Sequence, residues 1–247
     1  MQKEIHLTAQ DLMAMVQLRP QDVGKYAIVP GPVDRLQAIL KKLENPVRNF
    51  SFMEYSMYTG NLNGIKVTAM NGGRFSPDTA ITTEIICESQ IPHIIRIGSC
   101  GALREDIKVG DLIVVDAALR GDGVTPYYVE KDFNTVSDKD LTENILEVIK
   151  STGKTVHTGG CWTTDALLQE TKHRVNQAVK KGAIAVDMVT STLLTICQLK
   201  KVKAAVILAV SDNIITGELG FVNPMYYMAE SAMIDIALNT IKKLEGK

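Results

Sequence analysis

The sequence predicts one α/β domain, and three observations carry that reading. Short branched-apolar runs alternate with stretches of helical spacing along the whole chain. At 247 residues there is enough chain to bury a full core. No repeat, low-complexity tract or linker interrupts it, so residues 1–247 are expected to form a single domain.

The elements follow in order. Thr8 to Val16 reads as a short helix with Thr8 as its N-cap. Lys25 to Val29 is a strand that ends at Pro30-Gly31-Pro32. The spacing of Leu36, Ile39, Leu40 and Leu43 then gives a helix from Asp34 to Leu43. Glu54–Tyr58 and Gly64–Met70 form a hairpin around Gly60 to Gly64, and Asn71-Gly72-Gly73 ends its second arm. Asp78 to Glu88 is helical. Further strands are expected at 94–97, Val109–Val115, Thr155–Thr158, Ala183–Met188 and Val202–Ser211. Helices are expected at Leu141–Ser151, Lys172–Lys181, Ser191–Gln198 and Pro224–Leu244. Gly159 to Asp165 reads as a loop.

Composition excludes several classes. A net charge of −1 gives no general pull toward nucleic acid or membrane. No apolar run approaches the roughly 20 residues that span a bilayer. The opening Met1-Gln2-Lys3-Glu4-Ile5-His6 is too polar for a signal peptide, so the expected location is cytoplasmic. Cys87, Cys100, Cys161 and Cys197 form no CxxC pair, and the four histidines no HxxxH pair, so neither a disulfide frame nor a metal centre is expected.

The chain is organised around Pro92 to Leu103. Ile94, Ile95 and Ile97 suit a strand covered on both faces. Arg96 interrupts them, and a buried cation is costly without an anionic partner. Gly98-Ser99-Cys100-Gly101 then reads as a sharp turn presenting open amides. A guanidinium, a hydroxyl and free amides at one strand end make an oxyanion site; the same residues also suit an ordinary strand-to-turn junction. Gly31 and Arg35 sit where another strand hands over to a helix, a second place that favours an anion.

Four segments together resemble the nucleoside phosphorylase family that contains uridine phosphorylases and hexameric purine nucleoside phosphorylases. They are Ile28-Val29-Pro30-Gly31-Pro32-Val33-Asp34-Arg35, Ile95-Arg96-Ile97-Gly98-Ser99-Cys100-Gly101-Ala102, Val186-Asp187-Met188 and Val210-Ser211-Asp212-Asn213. The resemblance implies a twisted central mixed sheet flanked by helices. It implies reversible phosphorolysis of a nucleoside, purine or uridine, to free base and (deoxy)ribose 1-phosphate. Phosphate is then a co-substrate, no cofactor is needed, and the chain self-associates through dimers to a homo-oligomer, expected to be a hexamer. Gly31, Arg35, Arg96 and Ser99 match the family's phosphate ligands. Asp212 matches the catalytic Asp of the purine branch, which donates to the leaving base. Val186, Asp187, Met188, Trp162, Leu167 and His6 fall at nucleoside-binding positions. Asp212 leans toward purines, whereas Arg120 to Thr125 looks more like uridine phosphorylases, and the base class stays open.

The chain also departs from the family pattern. Val189 stands where an acid normally holds the ribose hydroxyls, and it cannot accept a hydrogen bond. Met53 stands where the family has an Arg that reaches the neighbouring subunit's phosphate; Arg48 is the nearby candidate to replace it. These departures leave three outcomes: a phosphorylase with a rebuilt sugar site, an enzyme for a modified sugar, or a binding protein without turnover.

Overall fold

The computed structural model describes residues 5–246. Eleven strands form one mixed sheet: β1 Tyr26–Pro30, β2 Glu44–Phe52, β3 Tyr55–Leu62, β4 Ile65–Met70, β5 His93–Ala102, β6 Leu112–Gly121, β7 Thr135–Val136, β8 Val156–Thr164, β9 Ala183–Asp187, β10 Lys203–Asn213 and β11 Glu218–Leu219. Seven α-helices flank it: α1 Ala9–Met15, α2 Val33–Leu40, α3 Ser76–Glu88, α4 Lys139–Thr152, α5 Lys172–Lys180, α6 Thr190–Leu199 and α7 Pro224–Leu244. Strands β5, β10, β6, β8 and β9 pair in a closed ring, because β9 returns to β5. From β5 the sheet continues outward through β1, β4, β3 and β2.

Side chains alternate along each strand, so the sheet feeds two cores. Ile94, Ile113, Val206 and Leu208 pack with residues of α1, α3 and α6. Ile95, Ile97, Leu112 and Ile207 pack with residues of α2, α4 and α7. Local signals set several boundaries. Thr8 caps α1 in a reciprocal capping box with Asp11. Asn63 and Gly64, both at positive φ, form the two-residue turn joining β3 and β4. Asn223 caps α7, which spans the expected residues.

Three expectations need correction. Gly98 to Gly101 is not a turn, because β5 continues to Ala102 and pairs with β10 throughout. Gly159 to Thr164 is strand, not loop, held by parallel pairing of β8 to both β6 and β9. Strand β2 was not expected; it lies at the sheet edge and most of its residues are exposed, so no alternation betrays it.

The pairing of β5 sets up the site. On one edge β1 accompanies it only as far as Ile97, and β9 joins only at Gly101. Gly98, Ser99 and Cys100 therefore have no strand partner on that edge. The amides expected from a turn are supplied by a gap between two neighbouring strands.

Candidate functional site

A cavity of about 450 Å³ opens at the gap. It lies at the C-terminal ends of the parallel strands β1, β5 and β10, where ligands of open α/β sheets commonly bind. Gly31, Arg35, Arg96, Ser99, Leu167, Val186, Asp187, Met188 and Asp212 all contribute to its wall. Two residues singled out in the sequence do not. Trp162 lines a separate cleft beside Arg120 and Arg174, and exposed His6 is absent from the wall.

Arg96 dominates the electrostatics. It is only 5% exposed and forms no ion pair among the described residues. Its Nη1 makes one long contact to the Val29 carbonyl at 3.5 Å, and its buried Nε has no partner. Burial pulls its pKa down to about 10, with the charge of Asp187 partly offsetting that cost. The guanidinium folds back over the strand: a Cβ at Gly98 would stand 3.1 Å from Arg96 Nη2. Glycine at 98 is what lets it turn there.

Arg35 is different. Its Nε donates to Glu230 Oε1 at 2.9 Å, its Nη2 donates to the same oxygen, and Nη1 donates to the Ile97 carbonyl at 3.3 Å. That cation is already neutralised by α7.

Asp187 is committed as well. Its Oδ1 accepts from Thr163 Oγ1 at 3.0 Å, Val189 N at 3.2 Å and Thr190 N at 3.1 Å. Its Oδ2 accepts from Thr190 N at 3.1 Å and Thr190 Oγ1 at 2.6 Å. This carboxylate caps α6 from outside the helix and has no lone pair to spare for a sugar. Beside it Val189 is 1% exposed and presents only apolar surface.

A bulge at Ser211 places Asp212 opposite Gly101. Asp212 Oδ1 accepts from Ser211 Oγ at 2.6 Å, and Oδ2 lies 3.0 Å from where a Gly101 Cβ would be. Glu170, half-buried, shares the cavity with it and makes no hydrogen bond or ion pair to described residues. Burial and then the Asp212 charge push the Glu170 carboxyl up to about 7.

Sequence reasoning passed over Arg74, Glu170, Tyr226 and Glu230, all of which line the cavity. Arg74 follows Gly72-Gly73, a signal of close backbone approach that could have drawn attention to it. The other three lie in a loop and on a helix, with no motif around them. In the Arg120–Thr125 segment, Arg120 and Gly121 end β6 and the rest is a stapled turn: Asp122 accepts from Val124 N, Thr125 N, Thr125 Oγ1 and Ser191 Oγ. Arg48 lies on β2 and lines another surface cleft.

The chain is similar to known proteins over most of its length. A model of the phosphorylase superfamily matches residues 25–242. Uridine phosphorylase of Escherichia coli strain K12 is 28% identical over 232 residues, covering 88% of this chain and 91% of that protein. A DeoD-type purine nucleoside phosphorylase of Buchnera aphidicola subsp. Acyrthosiphon pisum (strain 5A) is 32% identical over 203 residues, covering 81% of this chain and 87% of that one. The crystal structure of uridine phosphorylase from Vibrio fischeri ES114 superposes with a TM-score of 0.85 at 24% identity, over 94% of this chain and 99% of that one.

Proposed function

Because the chain belongs to the phosphorylase superfamily, we propose that it is a pentosyltransferase that cleaves nucleosides with inorganic phosphate. One observation carries the reading: Arg96, a buried guanidinium with no ion-pair partner among the described residues, faces a cavity beside three strand residues whose edge is unpaired. Such a charge is costly to bury alone and is best relieved by an oxyanion that also takes backbone amides. Phosphate fits that role as ligand and nucleophile.

In this mechanism phosphate docks on Arg96, Ser99 and the backbone near Gly31. A phosphate oxygen bonds to the sugar C1′ as the C1′–N bond breaks, and the bond pair leaves with the base. Asp212 returns a proton to the base, directly or through water. Developing positive charge on the sugar is met by the phosphate dianion beneath it. Leu167, Val186 and Met188 supply apolar walls for the nucleoside. The products are free base and pentose 1-phosphate, and phosphate is the only co-substrate the scheme requires. A cytoplasmic role in nucleoside salvage, and assembly to a homo-oligomer with a hexamer as the expected form, belong to the same proposal. The four free, buried cysteines fit a reducing compartment.

A second reading is favoured by Val189 and by the commitment of Asp187, which together leave the sugar without its usual carboxylate. It is a relative that binds nucleoside or phosphate without turnover. Base release from a panel of purine and pyrimidine nucleosides, with and without phosphate, separates the two. Phosphate-dependent release is expected. Release unaffected by phosphate would overturn phosphorolysis, and binding without any release would favour the second reading.

A further inference from the structure

Arg35 and Arg96 together look like a pair of phosphate ligands in the sequence, but the structure divides them. The charge of Arg35 is balanced by Glu230, whereas Arg96 has no ion-pair partner among the described residues. Arg35 with Glu230 is thus net neutral, and a dianion at the site meets one uncompensated positive charge from these two residues. Arg74 is the remaining cation in the cavity wall. Its Cγ lies 3.7 Å from where a Cβ of Gly31 would stand, and Arg96 Nη2 lies 4.0 Å from that same point. The two side chains thus approach Gly31 together. Arg74 makes no hydrogen bond or ion pair to a described residue; its contact is the Phe75 ring, 5.8 Å from the guanidinium carbon to the centroid.

The segment carrying Arg74 is pinned. Gly72 N donates to the Pro30 carbonyl at 2.8 Å, and the Gly72 carbonyl accepts from the Thr79 and Thr82 hydroxyls at 2.9 and 3.0 Å. Asn71 donates to the Glu54 carbonyl and accepts from Ser56 N, both at 2.8 Å. A Cβ on Gly72 would meet Val29 Cγ1 at 2.3 Å, so only glycine lets the segment lie this close to β1. Gly73 turns the chain at φ +78° and releases Arg74 toward the cavity. An otherwise idle cation is held beside an unsatisfied buried one.

Resting on the phosphorolysis reading, we propose that Arg74 is a phosphate-binding residue of its own chain's site and completes, with Arg96, the clamp on the dianion. The assignment also meets the difficulty at Met53. Whatever cation a neighbouring subunit fails to lend through that position, Arg74 provides from within the chain.

The test is titration calorimetry of inorganic phosphate into the full-length protein at fixed ionic strength, beside nucleoside titrations and phosphate-dependent kinetics. Arg74→Ala should weaken phosphate binding by about 10- to 100-fold, the range for a lost charge-assisted hydrogen bond, with little change in nucleoside affinity. Arg74→Lys should fall between, since it keeps the charge and loses the planar fork. Arg74 is exposed, and melting curves of the variants would report any loss of fold. Arg48→Ala should leave phosphate affinity unchanged. Unchanged affinity in Arg74→Ala, or a loss in Arg48→Ala instead, overturns the assignment. Phosphorolysis by the parent with normal phosphate use by Arg74→Ala would keep the reaction and discard the residue. Arg74-dependent phosphate binding in a protein that turns over no nucleoside would keep the residue and discard the reaction. A parent that binds no phosphate would discard both.

Discussion

A carboxyl with no hydrogen-bond or ion-pair partner among the described residues reports on what it faces, and Glu170 shares the candidate cavity with Asp212. Its raised pKa, about 7, has a thermodynamic sign. In the unfolded chain Glu titrates in the ordinary carboxylate range, so between there and about 7 the folded state holds the extra proton. Stability therefore falls as pH rises through that window, and Glu170→Gln should flatten the slope. Activity has a related dependence. The proton that Glu170 holds near neutrality lies beside Asp212 and is available to the leaving base. The alkaline limb of kcat/KM should begin near 7 and be lost in Glu170→Gln, whose side chain does not titrate. Phosphate's own ionisation is common to both proteins, so the difference between the two pH profiles isolates the carboxyl. Superimposable profiles would remove Glu170 from the proton's path.

At the scale of elements, the β9–α6 junction explains why a carboxylate beside a sugar site is unavailable to the sugar. Asp187 takes five donor contacts, and its charge partly offsets the burial of Arg96. Asp187→Asn should cost about 2–3 kcal/mol, by leaving buried donors unpaired, and lower Tm by several degrees. The ratio of kcat/KM for ribosides over 2′-deoxyribosides should be small in the parent and unmoved by the change. A strong riboside preference that collapsed in Asp187→Asn would show that the acid reaches the sugar. The same junction marks how much could be read ahead of the structure. Asp187 and Arg96 stand out because charges interrupt apolar strands. Ile94, Ile95 and Ile97 fix where β5 begins, but Gly98 to Cys100 carry little strand preference of their own, and pairing with β10 keeps them extended. Gly159 and Gly160 in β8 are held likewise by β6 and β9. Gly31, Arg35, Arg96 and Ser99 could be singled out because they lie at or beside strand ends with distinctive residues, and they do share one cavity wall. Arg74, Glu170 and Glu230 could not, because only the folded chain brings their loops and helix together.

At the scale of the whole molecule, the segments that carry cavity-lining residues also expose large apolar side chains in the single chain. Leu168 is 92% exposed and Val222 91%, with Met225, Tyr227 and Met228 also exposed. Leu168 lies between the cavity-lining Leu167 and Glu170, and Met225, Tyr227 and Met228 flank Tyr226 on the first turns of α7. Large exposed apolar side chains on the segments that line the cavity suit a surface that another molecule covers. A second copy of this chain is the occupant that the expected homo-oligomer requires, and it would exclude water where a glycosidic bond breaks beside a charged nucleophile. Sedimentation velocity at micromolar concentration should therefore show an oligomer built from dimers. Leu168→Glu, which puts a charge into that contact and touches no phosphate ligand, should shift the distribution toward smaller species. Activity should fall as the oligomer dissociates. Monomer alone for the parent would refute the assembly. An oligomer indifferent to Leu168→Glu would move the interface to another face and leave these apolar side chains for substrate alone.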